Sequence, residues 1–225
     1  MSGKPVKTVE DFRRALTTLL RDLGQANNHY ELCKKLYAAQ ESGFAKAMSL
    51  SRTFWTLTYE AHWETAVFRL CRVYDWNRDV LNLRTFLELI RDNPALLPAP
   101  PNPLAPFEAA QLEADLRWVS PDSNSAVKHL IAWRNNVYAH RSSKVAVSDE
   151  SFGTKFPIAE ADVAKLFGEG FEIMNRYYNI FFGIHFDRGE MLLDDVEVSL
   201  KLLQAEIEGR ERRLQEQIAG TQADA

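Results

Sequence analysis

Apolar residues recur three and four positions apart along nearly all of this 225-residue chain, and no segment alternates apolar and polar residues convincingly. A period near 3.6 places such residues on one helix face, whereas a half-buried strand needs a period of two. The expected fold is therefore all-α: an antiparallel, up-and-down bundle of four to five core helices, with additional short helices and a long C-terminal helix. The KVAVS run at 144–148 is the one exception, and it reads as a small strand or a loop.

The first helix is expected to start at Thr8, with Asp11 three residues on as in a capping box, and to carry Val9, Phe12, Leu16, Leu19, Leu20 and Leu23 on one stripe. Gly24 and Asn27-Asn28 weaken it, and a second segment with Tyr30, Cys33, Leu36 and Tyr37 follows. Residues 44–74 read as one long central helix with two stripes. One contains Phe44, Met48, Trp55, Tyr59, His62, Ala66 and Leu70; the other contains Leu50, Phe54, Leu57, Ala61, Phe68 and Cys71. Two stripes imply burial on two sides. Asn82 is placed to cap a shorter helix with Leu83, Phe86, Leu87 and Ile90. The proline-rich stretch 93–106 is a rigid connection between helices.

Further helices are expected at about 107–119, from Ser120-Pro121-Asp122 into the signature described below, at 159–182 after Pro157, and at 190–218. In the last, Leu193, Val196, Leu200, Leu203, Ile207 and Leu214 form a short heptad-like seam. That seam suits a helix lying on the core or one paired with a partner. The expected organisation is a bundle over 1–185, a C-terminal helix over 186–219 and a disordered tail over 220–225.

A hydrophobic share of 46% and a charged share of 26% are ordinary for a globular protein, which argues against disorder outside the ends. The net charge of −4 argues against a wholly basic nucleic-acid coat. A local basic site is still allowed: between 128 and 148 lie Lys128, Arg134, Arg141 and Lys144 and no acid. Cys33 and Cys71 do not make a disulfide framework and are expected to be buried thiols. No His/Cys/Asp/Glu cluster has metal-site spacing, and no Gly-rich phosphate loop or nucleophile elbow is present. No metal or cofactor is expected. The N-terminal MSGKPVKTVEDF lacks an apolar leader stretch and no run is long enough to span a bilayer, so the expected compartment is the cytoplasm, with no membrane partner.

Chemistry concentrates in WRNNVYAHR at 133–141. Arg134 offers a planar, permanently charged fork for phosphate. His140 titrates near neutral pH and can give or take a proton. On an ideal helix, at about 100° per residue, the two lie roughly 120° apart. They converge only if the helix ends or distorts near Ala139, or if two copies of the motif meet about a two-fold axis. Asn136 and His140 are four apart and would be surface neighbours, as would Arg134 and Tyr138. A structural role is the competing account: Arg134 paired with an acid on a neighbouring helix, and His140 capping a helix C-terminus. His62 reads as a core or interface residue, and His29, His129 and His185 lie alone in the sequence. Most of the aromatic residues are expected in the core; Tyr138 and Trp133 are candidates for base stacking.

The run RNNVYAHR resembles the signature of the HEPN superfamily: an Arg, a following polar residue, then a His after four to six intervening residues. Here five intervene and the first is Asn135. The surrounding pattern is similar to the abortive-infection AbiU-type branch, over residues 8–185: a long N-terminal helix pair, a Leu-rich short helix, a signature helix ending in an Ala-His step, and a helix opening after a proline. The resemblance implies a homodimer with facing signature helices and metal-independent endoribonuclease activity. The RNA 2′-OH would attack the adjacent phosphate and leave a 2′,3′-cyclic phosphate. It implies catalytic roles for Arg134, His140 and Asn135, and substrate contacts from Asn136, Tyr138, Arg141 and Lys144. It further implies a defence-system toxin with an antitoxin of nucleotidyltransferase type. Arg141 departs from the small, polar or acidic residue usual after the His. The alternative within the same fold is a non-catalytic interaction or nucleotide-binding module.

Overall fold

A computed structural model describes residues 8–41, 43–97, 106–138, 152–186 and 194–223. The protein is an all-α helical bundle, and no strand occurs among the described residues. His140, Arg141, Lys144 and the 144–148 run lie outside them, as does most of the connection 93–106. Among the described residues no helix is long and apolar enough to cross a membrane.

Helix α1 spans Val9–Glu41 without a break. Its start is the expected capping box: Asp11 N–H donates to Thr8 Oγ1 at 3.1 Å, and Thr8 N–H donates to Asp11 Oδ2 at 3.2 Å. Gly24 does not divide it. The neighbours Leu23 and Ala26 are fully buried, and their packing outweighs the roughly 1 kcal/mol helix penalty of a glycine.

The central segment differs from the single helix expected over 44–74. It comprises α2, Ala45–Ser49, and α3, Arg52–Val73, separated by a turn at Leu50 and Ser51. Burial on two sides is not found for one stripe of α3. Of the second expected stripe Leu50, Phe54, Leu57 and Phe68 are exposed, at 66%, 60%, 59% and 44%, and Cys71 is buried; of the first, Ala66 and Leu70 are buried.

Helix α4, Leu83–Asp92, is capped by Asn82, whose side chain accepts from Thr85 N–H at 2.8 Å while Thr85 Oγ1 accepts from Asn82 N–H at 3.0 Å. Helices α5 (Ala109–Trp118), α6 (Ser125–Trp133), α7 (Phe152–Lys155), α8 (Glu160–Phe182) and α9 (Asp194–Ala223) follow. Gly183 ends α8 at φ 69°, the left-handed region that glycine enters without steric cost.

The chain forms two compact units: 1–27 with 65–189, and 28–64 with 190–225. In the first, the fully buried Phe12 ring lies 4.8 Å from Phe86 of α4 and 4.5 Å from Phe181 of α8. The buried carboxylate of Asp115 accepts from Arg176 at both oxygens (3.1 Å each), from Tyr177 Oη (2.9 Å) and from Gln111 Nε2 (2.8 Å). Four donors around one buried anion offset its loss of water.

In the second unit, Val196 and Leu200 of α9 pack with Ala39, Phe44, Met48 and Trp55. Part of the heptad-like seam is thus used within the protomer. Ile207 is buried as well, while Leu203 and Leu214 are exposed. His29 does not lie alone: its Nδ1 is 2.7 Å from Nδ1 of His62, so one ring donates and the other accepts.

Candidate functional site

The signature arginine sits where a helix changes pitch. Asn124 caps α6, its side-chain oxygen accepting from the N–H groups of Ala126 and Val127 and its amide donating to Trp118 O. The sequence pointed to Ser120-Pro121-Asp122 as the start; those residues form a turn, and the cap comes two residues later. Ala126, Val127 and Leu130 are buried. Trp133 Nε1 donates to Phe156 O at 2.7 Å, and His129 Nδ1 lies 2.7 Å from Pro157 O. These contacts fix α6 against the segment that leads into α8.

From Arg134 to Tyr138 the helix widens into a π segment. Such turns bond i to i+5 rather than i+4 and occur often at functional sites. Two side chains engage carbonyls of the preceding turn. Cys71 Sγ donates to Leu130 O at 3.6 Å, and Asn136 Nδ2 donates to Ala132 O at 2.8 Å. Side-chain donors on the ladder carbonyls are a recognised cause of helix distortion. The neighbour pairs expected from the sequence, Asn136 with His140 and Arg134 with Tyr138, each include a side chain outside the described residues.

Arg134 Nη2 donates to Asp75 Oδ2 at 2.8 Å, and Nη1 donates to Asn135 Oδ1 at 2.8 Å. Asp75 follows the last residues of α3 and is 7% exposed. Its other oxygen accepts from Asn77 N–H at 3.1 Å. The Arg134 side chain is 35% exposed. These two bonds engage part of a guanidinium that carries five N–H donors. Its charge reaches Cys71. Burial pushes that thiol up to about 12, and the Arg134 guanidinium pulls in the opposite direction.

The structure thus brings together Arg134, Asn135 and Asp75. Asn135 is exposed and Asn136 is half-buried, with its amide turned back onto the helix. The backbone of Tyr138 closes the π segment. His140, Arg141 and Lys144 are outside the described residues. Asp75 was not among the residues singled out from the sequence, although pairing of Arg134 with an acid on another helix was expected as the structural account. Its local signal is an Asp between Tyr74 and Trp76 with Asn77 two residues on, the spacing of an Asx turn. Among the described residues no group of three or more His, Cys, Asp or Glu side chains is placed to hold a metal ion.

Chemically, a guanidinium held by a buried carboxylate on a side chain that is partly exposed keeps N–H donors beyond those two bonds, the group type that binds phosphate. No curated protein and no solved structure matches the chain. The family model for AbiU2, a HEPN family, matches residues 9–202 and so includes the whole of RNNVYAHR. The chain therefore belongs to the AbiU2 family of HEPN proteins.

Proposed function

We propose that this protein is a metal-independent endoribonuclease acting in an abortive-infection type of defence. The observation that carries the reading is Arg134. It is oriented by Asp75 and Asn135, is partly open, and stands on a π turn in the family's signature segment. In the proposed reaction the RNA 2′-oxygen attacks phosphorus and the P–O5′ bond breaks. A 2′,3′-cyclic phosphate forms, and the 5′-oxygen leaves with a proton. Arg134 holds the phosphate and balances charge on its non-bridging oxygens. His140 takes the proton from the 2′-OH or supplies one to the 5′-oxygen. Asn135 orients Arg134, the role its 2.8 Å bond supports. Asn136, Tyr138, Arg141 and Lys144 contact the strand.

The reading includes a homodimer about the helix bearing Arg134 and His140, an antitoxin of nucleotidyltransferase type, and a cytoplasmic location. One observation favours a second reading. The Asp75–Arg134 pair joins residues of one protomer, as a purely structural arginine would. A non-catalytic HEPN-like interaction or nucleotide-binding module has the same pair. Cleavage of labelled single-stranded RNA in EDTA, by wild type and by His140→Ala, separates the two. A cyclic-phosphate product lost in the variant supports the nuclease, and intact RNA with both proteins supports the module.

A further inference from the structure

The end of α5 and the start of α6 meet the early turns of α8 around an open recess of about 500 Å3. Arg117 and Trp118 line it from α5, Ser123, Asn124 and Ser125 from the turn into α6, and Lys165 from α8. All of these residues belong to the first compact unit. A volume of this size lies in the range of small-ligand sites, about 300–1,000 Å3.

The lining holds two cations and no acid. Arg134 and Arg176 are each held by a buried aspartate. The Arg117 and Lys165 side chains, in contrast, have no ion pair or hydrogen bond among the described residues. Glu113 and Glu169, four residues away on the same helices, do not pair with them. The exposed hydroxyls of Ser123 and Ser125 are likewise unengaged among the described residues. Asn124 differs: its side chain serves Ala126 N–H, Val127 N–H and Trp118 O, so the start of α6 is already capped. The free groups are therefore the two cations and the two hydroxyls. Trp118 adds a partly exposed indole, backed at 5.8 Å by the ring of Tyr74. Tyr74 is buried and its hydroxyl donates to Leu166 O, so the backing is fixed.

Each group selects part of a ligand. A guanidinium fork and an ammonium together bind a phosphate that carries more than one negative charge. Hydroxyls exchange hydrogen bonds with a sugar. An indole face stacks on a base. We infer that this recess binds a ribonucleoside 5′-monophosphate, with its phosphate on Arg117 and Lys165 and its base on Trp118. Arg134 stands nine residues beyond Ser125, about 14 Å along the helix axis, so the two sites are separate. Binding in the recess does not depend on whether the signature segment cleaves RNA. Both cations are exposed, so the affinity falls as salt rises.

The test is isothermal titration calorimetry in EDTA with AMP, GMP, CMP and UMP, on the wild type and on the double variant Arg117→Gln/Lys165→Gln. Both positions are exposed, so the variant keeps its fold, and circular dichroism checks that. At least one nucleotide should bind the wild type. Its nucleoside, which lacks the phosphate, should bind about tenfold more weakly, and the double variant should lose at least about tenfold for the nucleotide. Trp118→Phe keeps an aromatic face against Tyr74 and should lose less than the double variant. No binding of any of the four, or equal binding by wild type and double variant, overturns the proposal. Equal affinity for nucleoside and nucleotide overturns the phosphate assignment. A nucleotide unit within an RNA strand offers the same groups, and an uncleavable 2′-O-methyl RNA separates that source. Loss of its binding in the double variant, with no mononucleotide bound by the wild type, overturns the free nucleotide as the ligand and assigns the recess to the strand.

Discussion

Arg134 Nη2 and Asp75 Oδ2 lie 2.8 Å apart, although 59 residues separate them in the chain. Asp75 is nearly buried and Arg134 is a third exposed. The pair anchors the π segment to the end of α3. Loss of either partner therefore acts on stability and on the site together, unequally. Arg134→Ala leaves a buried carboxylate without its cation and should cost about 2 kcal/mol, the partial exposure of the pair holding the loss below that of a fully buried one. Asp75→Asn keeps a hydrogen-bonding group and should cost about 1 kcal/mol. Urea denaturation of the two single variants and the double variant should give a non-additive cycle. Additive losses would mean that the pair is not coupled.

The Asp115 cluster orders its own variants. Asp115→Ala removes the acceptor for Arg176, Tyr177 and Gln111 and should destabilise by about 3 kcal/mol. Tyr177→Phe deletes one donor and should cost about 1 kcal/mol. The Tyr177 hydroxyl is held protonated, because burial and the neighbouring Asp115 charge both push its pKa up. Thermal unfolding should rank Asp115→Ala below Tyr177→Phe below wild type.

At Gly170 the helix passes close to an aromatic hydroxyl. A Cβ there would lie 2.9 Å from Tyr74 Oη and 3.4 Å from Leu23 Cδ2. Tyr74 cannot yield easily, since its ring is buried and its hydroxyl donates to Leu166 O at 2.7 Å. Gly170→Ala should lower stability by about 1–3 kcal/mol through overpacking. Tyr74→Phe in the same chain removes the obstructing oxygen, and Gly170→Ala should then cost less than it does in the wild type. Calorimetry of the four proteins checks this.

The buried thiols give a pH signature. Burial raises Cys33 to about 11 and Cys71 to about 12, from an ordinary value of 9.0. The unfolded chain releases these protons first. The stabilising contribution is therefore complete below about pH 9 and lost as pH rises toward 11–12. Neither thiol should react with Ellman's reagent at pH 8 until denaturant is added. Prompt reaction of the native protein would contradict the burial assigned to them.

Local features were legible in the sequence and long-range ones were not. The caps at Thr8 and Asn82 could be read because each depends on residues three apart. The all-α class followed from a period repeated over many turns. The break at Leu50 and Ser51 carries neither proline nor glycine, so nothing local announced it. The π segment has no sequence period of its own; it accompanies bonds from Cys71 and Asn136 to carbonyls of α6. The signature was visible from its residue types, but its anchor Asp75 was not, because the pairing spans most of three helices. The His29–His62 contact was hidden for the same reason, being 33 residues apart.

The proposed function is cleavage of RNA by the signature segment. Its most direct test is incubation of labelled single-stranded RNA with the wild type and His140→Ala in EDTA, with the product ends identified. Fragments ending in a 2′,3′-cyclic phosphate are expected from the wild type and none from a folded His140→Ala. Equal cleavage by both proteins, or none by a folded wild type over a range of RNAs, would contradict it.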